Sequence, residues 1–432
     1  MSQIESSTIS EINLSDNTEI PPLPNMFPLT TAFLMAYLII TGGRLHELFP
    51  ILLHSPIPLG DLTGGGMIIC FFIESRSRGL GKIALLKEEK YVLGLLMLGI
   101  ITIPTSVWPG HSLDFLIGSY LKTLVFFFLM TRVLRQVKDL RKMVWAFMVS
   151  IFLIGLMSIN AEITHYHAVT GMYDPNDIAL VMVCSLPFVI YFFKNTHGLG
   201  KIFLAICFVL IVMTIIMSAS RGGFVGLVAT GGYFFLKSRK NMKAQLLVVA
   251  ILVLIMFIHF APDTYWDRIS TIWNPQTECD ETGGGRTEIW KKGLKIFLTH
   301  PILGVGIDNF TTAYGISLGT PGKWSAVHNS FLQIVVELGI VGLILFVFLT
   351  FGTVLKMRRL QKIWKDEKGF KDFIWLSHAI EVGMSGYIVS GFFLSQAYFD
   401  YLYFMLGLSV AMQKVAMHNI LTLERTPVLT HP

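Results

Sequence analysis

Residues 283–310, GGGRTEIWKKGLKIFLTHPILGVGIDNF, and residues 326–342, AVHNSFLQIVVELGIVG, lie in and beside the longest interval of the chain that holds no apolar run of membrane length. With Arg286 opening a helix and 100° per residue, Ile289, Trp290, Leu294, Ile296 and Phe297 share one broad face. Glu288, Lys291, Lys292 and Lys295 gather on the opposite face. Arg286 does not join them. It sits near the middle of the apolar face, directly after three glycines. A guanidinium turned toward a buried face costs free energy unless it meets an anion. The competing reading is a helix-start arginine that snorkels to water or pairs with a nearby carboxylate.

The remainder of the chain sets the environment of this stretch. Of 432 residues, 53% are hydrophobic and only 14% charged, and the mean hydropathy is +0.62. That composition predicts an all-α polytopic membrane protein rather than a set of soluble domains. Crossing a bilayer takes about 20 apolar residues, and about twelve such runs are legible. They lie roughly at 28–49, 57–75, 90–107, 113–131, 142–160, 176–193, 201–219, 222–237, 244–260, 326–352, 372–395 and 397–415. The first is interrupted by Gly42, Gly43, Arg44, His46 and Glu47. The expected organisation is a disordered cytoplasmic tail at 1–26, nine spans over 27–260 and a larger outer loop with an amphipathic helix at 261–325. Three further spans cover 326–415, and a second cytoplasmic tail covers 416–432. The tail at 1–26 contains no Lys or Arg, unlike the basic start of a signal peptide. Of four cysteines, Cys70, Cys184 and Cys207 fall inside apolar runs and Cys279 in the loop, so no disulfide framework or metal spacing follows.

The net charge of +6 is distributed for a membrane, not for nucleic acid. Arg76 to Lys90, Arg132 to Lys142, Lys194 with Lys201, Lys237 to Lys243 and seven basic residues from Lys356 to Lys371 all fall on one side. The short loops of the other side hold only Arg44 and Arg221. By the positive-inside rule both termini are cytoplasmic and 261–325 faces out, with the basic loops on anionic lipid headgroups. Asp174, Asn176 and Asp177 in GMYDPNDIAL, Arg221 in SASRGGFVG, Arg286, His328 and Asp400 then converge on the outer face, with Glu162, His165 and His167 in an outer loop. Packing alone gives no reason for that.

Each of these residues has a plainer reading. Arg221 precedes two glycines that allow close approach, but arginines also anchor helix ends in headgroups. His328, before Asn329 and Ser330, can be a cap neighbour instead of a catalyst. Gln333 and Glu337 share a face nearly opposite it, so any partner comes from another span. Lys122, Glu337 and Glu381 are intramembrane charges, expected to pair, with a Lys122–Glu bridge as the favoured arrangement. They also leave open a transporter or lipid-carrier flippase, although no repeat between halves is visible. GxxxxGK[ST], HExxH, GxSxG and paired-cysteine patterns are absent, and residues 44–56 hold no DxD or ExD metal motif.

In this order and topology, GRTEIWKKGLKIFLTHPILGVGIDNF followed by VHNSFLQIVVELGIVG resembles the O-antigen ligase and polymerase superfamily of bacterial envelope glycosyltransferases. SRGGFVG and YDPNDIAL extend the resemblance, which covers 171–345. It implies a GT-C-like helical fold in the bacterial inner membrane with a periplasmic active site. Members move a glycan from undecaprenyl diphosphate to a hydroxyl acceptor, without metal or cofactor. Ligases use lipid A–core as acceptor, polymerases another repeat unit, and relatives glycosylate proteins. The family's essential arginines match Arg221 and Arg286, and its essential histidine matches His328. The chemistry of the residues meets this independently. A lipid-linked diphosphate suits two bidentate guanidiniums and leaves without a protein nucleophile. The acceptor hydroxyl needs a base, for which an imidazole titrating near neutrality serves. The expected scheme is direct inversion, with His328, Arg286 and Arg221 catalytic. Asp174, Asn176, Asp177, Asn329 and Trp290 are the expected substrate-binding residues.

Overall fold

The computed structural model describes residues 27–45, 58–78, 84–164, 174–238, 240–261, 265–266, 285–319, 325–364 and 371–425. The expected tail at 1–26, together with His165, His167 and Cys279, lies outside them. Among the described residues all regular structure is helical: α1 (Pro28–Tyr37, continued by a π turn Leu38–Gly42), α2 (Leu59–Arg78), α3 (Lys87–Thr102) and α4 (Pro109–Val133, with a π turn at Leu116–Tyr120). Next come α5 (Val137–Thr164), α6 (Pro175–Asn195), α7 (Leu199–Met217), α8 (Arg221–Lys237) and α9 (Lys240–Phe260). The chain ends with α10 (Arg286–Thr299), α11 (Phe310–Leu318), α12 (Ser330–Ile363), α13 (Lys371–Gly391) and α14 (Asp400–Arg425). Among the described residues, helices thus occupy the apolar intervals, and the last continues to Arg425.

Among the described residues, six segments are long and apolar enough to cross a membrane: Pro109–Val133, Val137–Asn160, Pro175–Asn195, Leu199–Met217, Met242–Phe260 and Ser330–Ile363. The other helices are shorter, more polar or more charged, for a reason visible in the packing. α13 packs against α6, α8, α12 and α14, and α14 against α4, so these two helices see protein on most sides. Tyr401 to Met412 of α14 are buried without interruption. A helix surrounded by protein does not need lipid-like side chains, and contact there is made by close packing and hydrogen bonds. Gly383 and Gly386 of α13 meet the Cys184 carbonyl of α6 and Thr230 of α8 at distances that leave no room for larger residues.

The deep charges are held by specific partners. Glu381 receives Lys237 at 2.5 Å, Arg358 at 2.7 Å, Gln361 at 2.7 Å and the Tyr233 hydroxyl. Glu88 is bridged to Lys356 at 2.7 Å and Glu89 to Lys414 at 2.8 Å. The expected Lys122–Glu bridge is not formed. Lys122 meets Asp61, at the start of α2, at 2.9 Å, and both side chains are more than half exposed.

Glu337 is buried and engaged differently, because α12 is not continuous. At Gly339 (φ 69°, ψ −169°) the helix kinks, which frees the carbonyls of Val336 and Glu337. The loop 300–309 fills that kink. Val305 N donates to Val336 O at 2.9 Å, Gly306 N to Glu337 O at 3.0 Å, and Ile340 N to Pro301 O at 2.9 Å. The Glu337 carboxylate accepts from Asp308 N, Phe310 N and the Tyr398 hydroxyl. A Cβ at position 339 would run into the Ile302 carbonyl. Gly339→Ala is therefore expected to destabilise the fold by about 1–3 kcal/mol through a left-handed backbone and a main-chain clash. The check is the melting midpoint of the purified protein in detergent, and an unchanged midpoint would refute this account of the kink.

Candidate active site

Four helices begin around one region, and each brings a residue singled out in the sequence. α8 starts after a sharp turn in which Ala219 has φ 47°. Ser220 is its N-cap, its hydroxyl accepting from Gly223 N at 3.0 Å, and Arg221 is the first helical residue, half-buried. Gly222 and Gly223 explain the proximity of the neighbours. Added Cβ atoms would lie 3.1 Å from the Phe393 Cβ and 2.6 Å from the Ala179 Cβ. The first turn of α8 therefore lies directly against α6 and the segment joining α13 to α14.

α6 is started by the YDPNDIAL stretch in a way its residue types dictate. Asp174 is the N-cap, Pro175 follows at the first helical position, and Asp174 Oδ1 accepts from Asn176 N at 3.0 Å and Asn176 Nδ2 at 2.9 Å. Asp174 is exposed, while Asn176 and Asp177 are half-buried. Asp177 lies beside Gln396.

The third helix start holds His328. Its φ is 49°, the left-handed region that costs a side-chain-bearing residue roughly 1–2 kcal/mol. Asn329 caps α12, its Oδ1 accepting from Phe331 N and Leu332 N, each at 3.0 Å. His328 N donates to Ser395 Oγ at 2.8 Å. Ser330 Oγ donates to Leu394 O at 2.6 Å and accepts from Gln396 N at 3.0 Å. Neither Ser395 nor Gln396 was singled out in the sequence. Their only signal there is a polar pair between apolar neighbours in FFLSQAYF.

The fourth start is α10. Its buried stripe is Ile289, Gly293 and Ile296, and half-buried Arg286, one turn earlier, continues that line. The helix lies against α12 and α11. Leu294, expected on the buried side, is half exposed, and Leu298 is more so. Trp290 turns its indole N–H to Val327 O at 2.9 Å, which joins this helix to the residue before His328.

These contacts link Trp290 on α10, the helix that Arg286 opens, to Val327 and His328, then to Ser395, and through Phe393 of the same segment to the first turn of α8 with Arg221, which lies against Ala179 of α6. The arrangement can hold an anion. Two helices begin with arginine, where backbone N–H groups and the positive end of the helix dipole already favour negative charge. Beyond this ring, the loop 300–309 carries a His111–Asp308 pair at 3.1 Å, which ties it to the start of α4. Burial pushes Asp308 up to about 6 against the opposing pull of His111. Among the described residues, no group of three or more His, Cys, Asp or Glu side chains is placed to hold a metal ion.

No curated protein matches the chain. A family model described as O-antigen ligase matches residues 206–347, a stretch that contains Arg221, Arg286 and His328 and begins after Asp177. The match over residues 206–347 supports the resemblance of this part of the chain to the O-antigen ligase and polymerase superfamily.

Proposed function

We propose that this protein is a metal-independent, inverting glycosyltransferase of the ligase type. It moves a glycan from undecaprenyl diphosphate to a hydroxyl of lipid A–core on the periplasmic face of the bacterial inner membrane. In this reading all twelve apolar helices, outside α10 and α11, cross the membrane, and both termini are cytoplasmic. The observation that carries it is the pair of arginines, Arg221 and Arg286, each opening a helix in the contact chain that contains His328.

The acceptor oxygen attacks the anomeric carbon and forms the new glycosidic bond. The bond from that carbon to the diphosphate oxygen breaks, and its electron pair leaves with the carrier. His328 takes the hydroxyl proton. Arg221, Arg286 and the first-turn N–H groups of α8 and α10 stabilise the charge that grows on the diphosphate. Asp177, with Asp174 and Asn176 at the same helix start, orients the sugar. Asn329 lines the approach to His328.

The test is a purified-protein assay with a synthetic undecaprenyl-diphosphate oligosaccharide and lipid A–core as acceptor. The expected product is lipid A–core carrying the glycan, formed equally well with EDTA present. Elongation of the glycan on the carrier, with lipid A–core untouched, would replace the ligase by a polymerase. Transfer to neither acceptor would remove the enzymatic reading.

A further inference from the structure

The peptide unit joining Val327 to His328 is gripped at both of its polar atoms by side chains from distant parts of the chain. Its carbonyl oxygen accepts from Trp290 Nε1 at 2.9 Å, across 37 positions of sequence. Its N–H donates to Ser395 Oγ at 2.8 Å, across 67 positions. The C=O and N–H of a trans peptide point in opposite directions, so the two side chains hold the plane from opposite sides. The residue that follows is His328, with φ 49°. A left-handed backbone at a residue that carries a side chain persists where its surroundings over-determine it, and such residues cluster at functional sites.

Both arms of this clamp are rigidly mounted. Trp290 lies on α10, whose buried stripe of Ile289, Gly293 and Ile296 fixes that helix against its neighbours. Ser395 lies in a segment pinned at four points: Leu394 O to Ser330 Oγ at 2.6 Å, Gln396 N to Ser330 Oγ at 3.0 Å, Gln396 O to the Tyr387 hydroxyl at 2.7 Å, and Ala397 N to Gln333 Oε1 at 3.3 Å. Such support exceeds what a helix cap requires, because Asn329 already caps α12 through two backbone N–H groups. With the peptide plane fixed on one side and the backbone beyond held at φ 49° by the capped start of α12, the direction of the Cα–Cβ bond at position 328 is fixed as well.

We propose that Trp290 and Ser395 are positioning residues that clamp the Val327–His328 peptide and so aim the His328 imidazole at the acceptor hydroxyl. Because Trp290 shares α10 with Arg286, the same clamp ties the helix of the diphosphate-binding arginine to the base. This inference rests on the reading of His328 as the general base. It gives Trp290 a role through the backbone in place of direct contact with substrate. Ser395 and Trp290 do not touch the reacting atoms in this scheme, so their loss acts through geometry, where a displacement of about 1 Å can cost up to 10²-fold.

The experiment measures full pH–rate profiles of the purified protein with a synthetic undecaprenyl-diphosphate oligosaccharide. The variants are Ser395→Ala, Ser395→Thr, Trp290→Phe, the Ser395→Ala/Trp290→Phe double and His328→Ala as reference. Ser395→Ala and Trp290→Phe are each expected to lower kcat by roughly 10-fold, within the range misplacement gives, with donor KM unchanged. Their acid limb should flatten toward the His328→Ala profile, because a displaced imidazole contributes less to the rate. Ser395→Thr, which keeps the hydroxyl, should restore both rate and limb. The double variant should lose less than the product of the two singles, since one released arm already frees the plane. A loss of folded protein would scale the whole profile without changing its shape, and that result, or singles with parental profiles beside an inactive His328→Ala, would overturn the clamp alone. Parental activity in His328→Ala would overturn the clamp and the assignment of the base together.

Discussion

Replacing His328 by alanine is expected to lower turnover by roughly 10²–10⁴-fold, the usual contribution of a general base, while the diphosphate carrier still binds. The expectation follows from where the residue sits. His328 precedes the capped start of α12, in a left-handed backbone, and its N–H is hydrogen-bonded to Ser395 of the segment joining α13 to α14. A histidine serving only as a cap neighbour would not need this, because Asn329 supplies the cap. Activity should fall toward acid pH, because only the neutral ring accepts a proton. The sign is specific to a base: an essential acid would lose activity in the opposite direction. In His328→Ala the acid limb should be gone as well as the rate. A purified His328→Ala protein that keeps both would take this residue out of the mechanism.

Helix positions and the alignment of Arg286 were legible because they depend on local periodicity. The 100° step that puts Arg286 in line with Ile289 and Ile296 is a property of any helix, and the buried stripe follows it. Leu294 shows the limit of that logic. Periodicity gives the apolar side of a helix, whereas its neighbours decide how much of that side is covered, and Leu294 remains half exposed. The charges of the membrane interval divided in the same way. That Glu337 and Glu381 would be engaged followed from the free energy of an isolated charge in an apolar medium. Their partners did not follow, because those come from the fold. Glu381 gathers Lys237 and Arg358 from two other helices, and Glu337 meets backbone N–H groups that only the kink at Gly339 brings within reach. LGIVG lies within an apolar run of membrane length, and its two glycines permit a kink without saying which of them makes it.

These same pairings weigh on transport. A carrier needs intramembrane charges that exchange partners, and Glu381 instead sits in a network with two cations, a carboxamide and a phenol. Ser395 and Gln396 escaped notice for a further reason. Their significance lies in hydrogen bonds to residues 67 and 66 positions away, and no local pattern encodes these.

Arg286→Ala and Arg221→Ala are each expected to cost roughly 2–4 kcal/mol in the transition state, the scale of other preorganised electrostatic contacts. At about 1.4 kcal/mol per factor of ten, that is a fall of roughly 30-fold to 1,000-fold in turnover. Arg286→Lys should recover little, because an ammonium is a point charge while the diphosphate is met by a planar fork of donors. The amount of folded protein separates this role from a structural one. Arg221 and Arg286 are the first residues of α8 and α10, where the helix dipole disfavours a positive charge by about 0.3–1 kcal/mol. Removing an arginine that serves the anion should lower turnover at an unchanged amount of folded protein. An arginine that only anchored its helix would show activity falling in step with folded protein. Addition of a diphosphate-bearing lipid should raise the midpoint of the parent protein and raise it much less in either alanine variant, since a ligand that binds the folded state stabilises it in proportion to its affinity. Near-parental turnover in Arg286→Ala, or equal stabilisation of parent and variant by that lipid, would remove the arginine from the anion site.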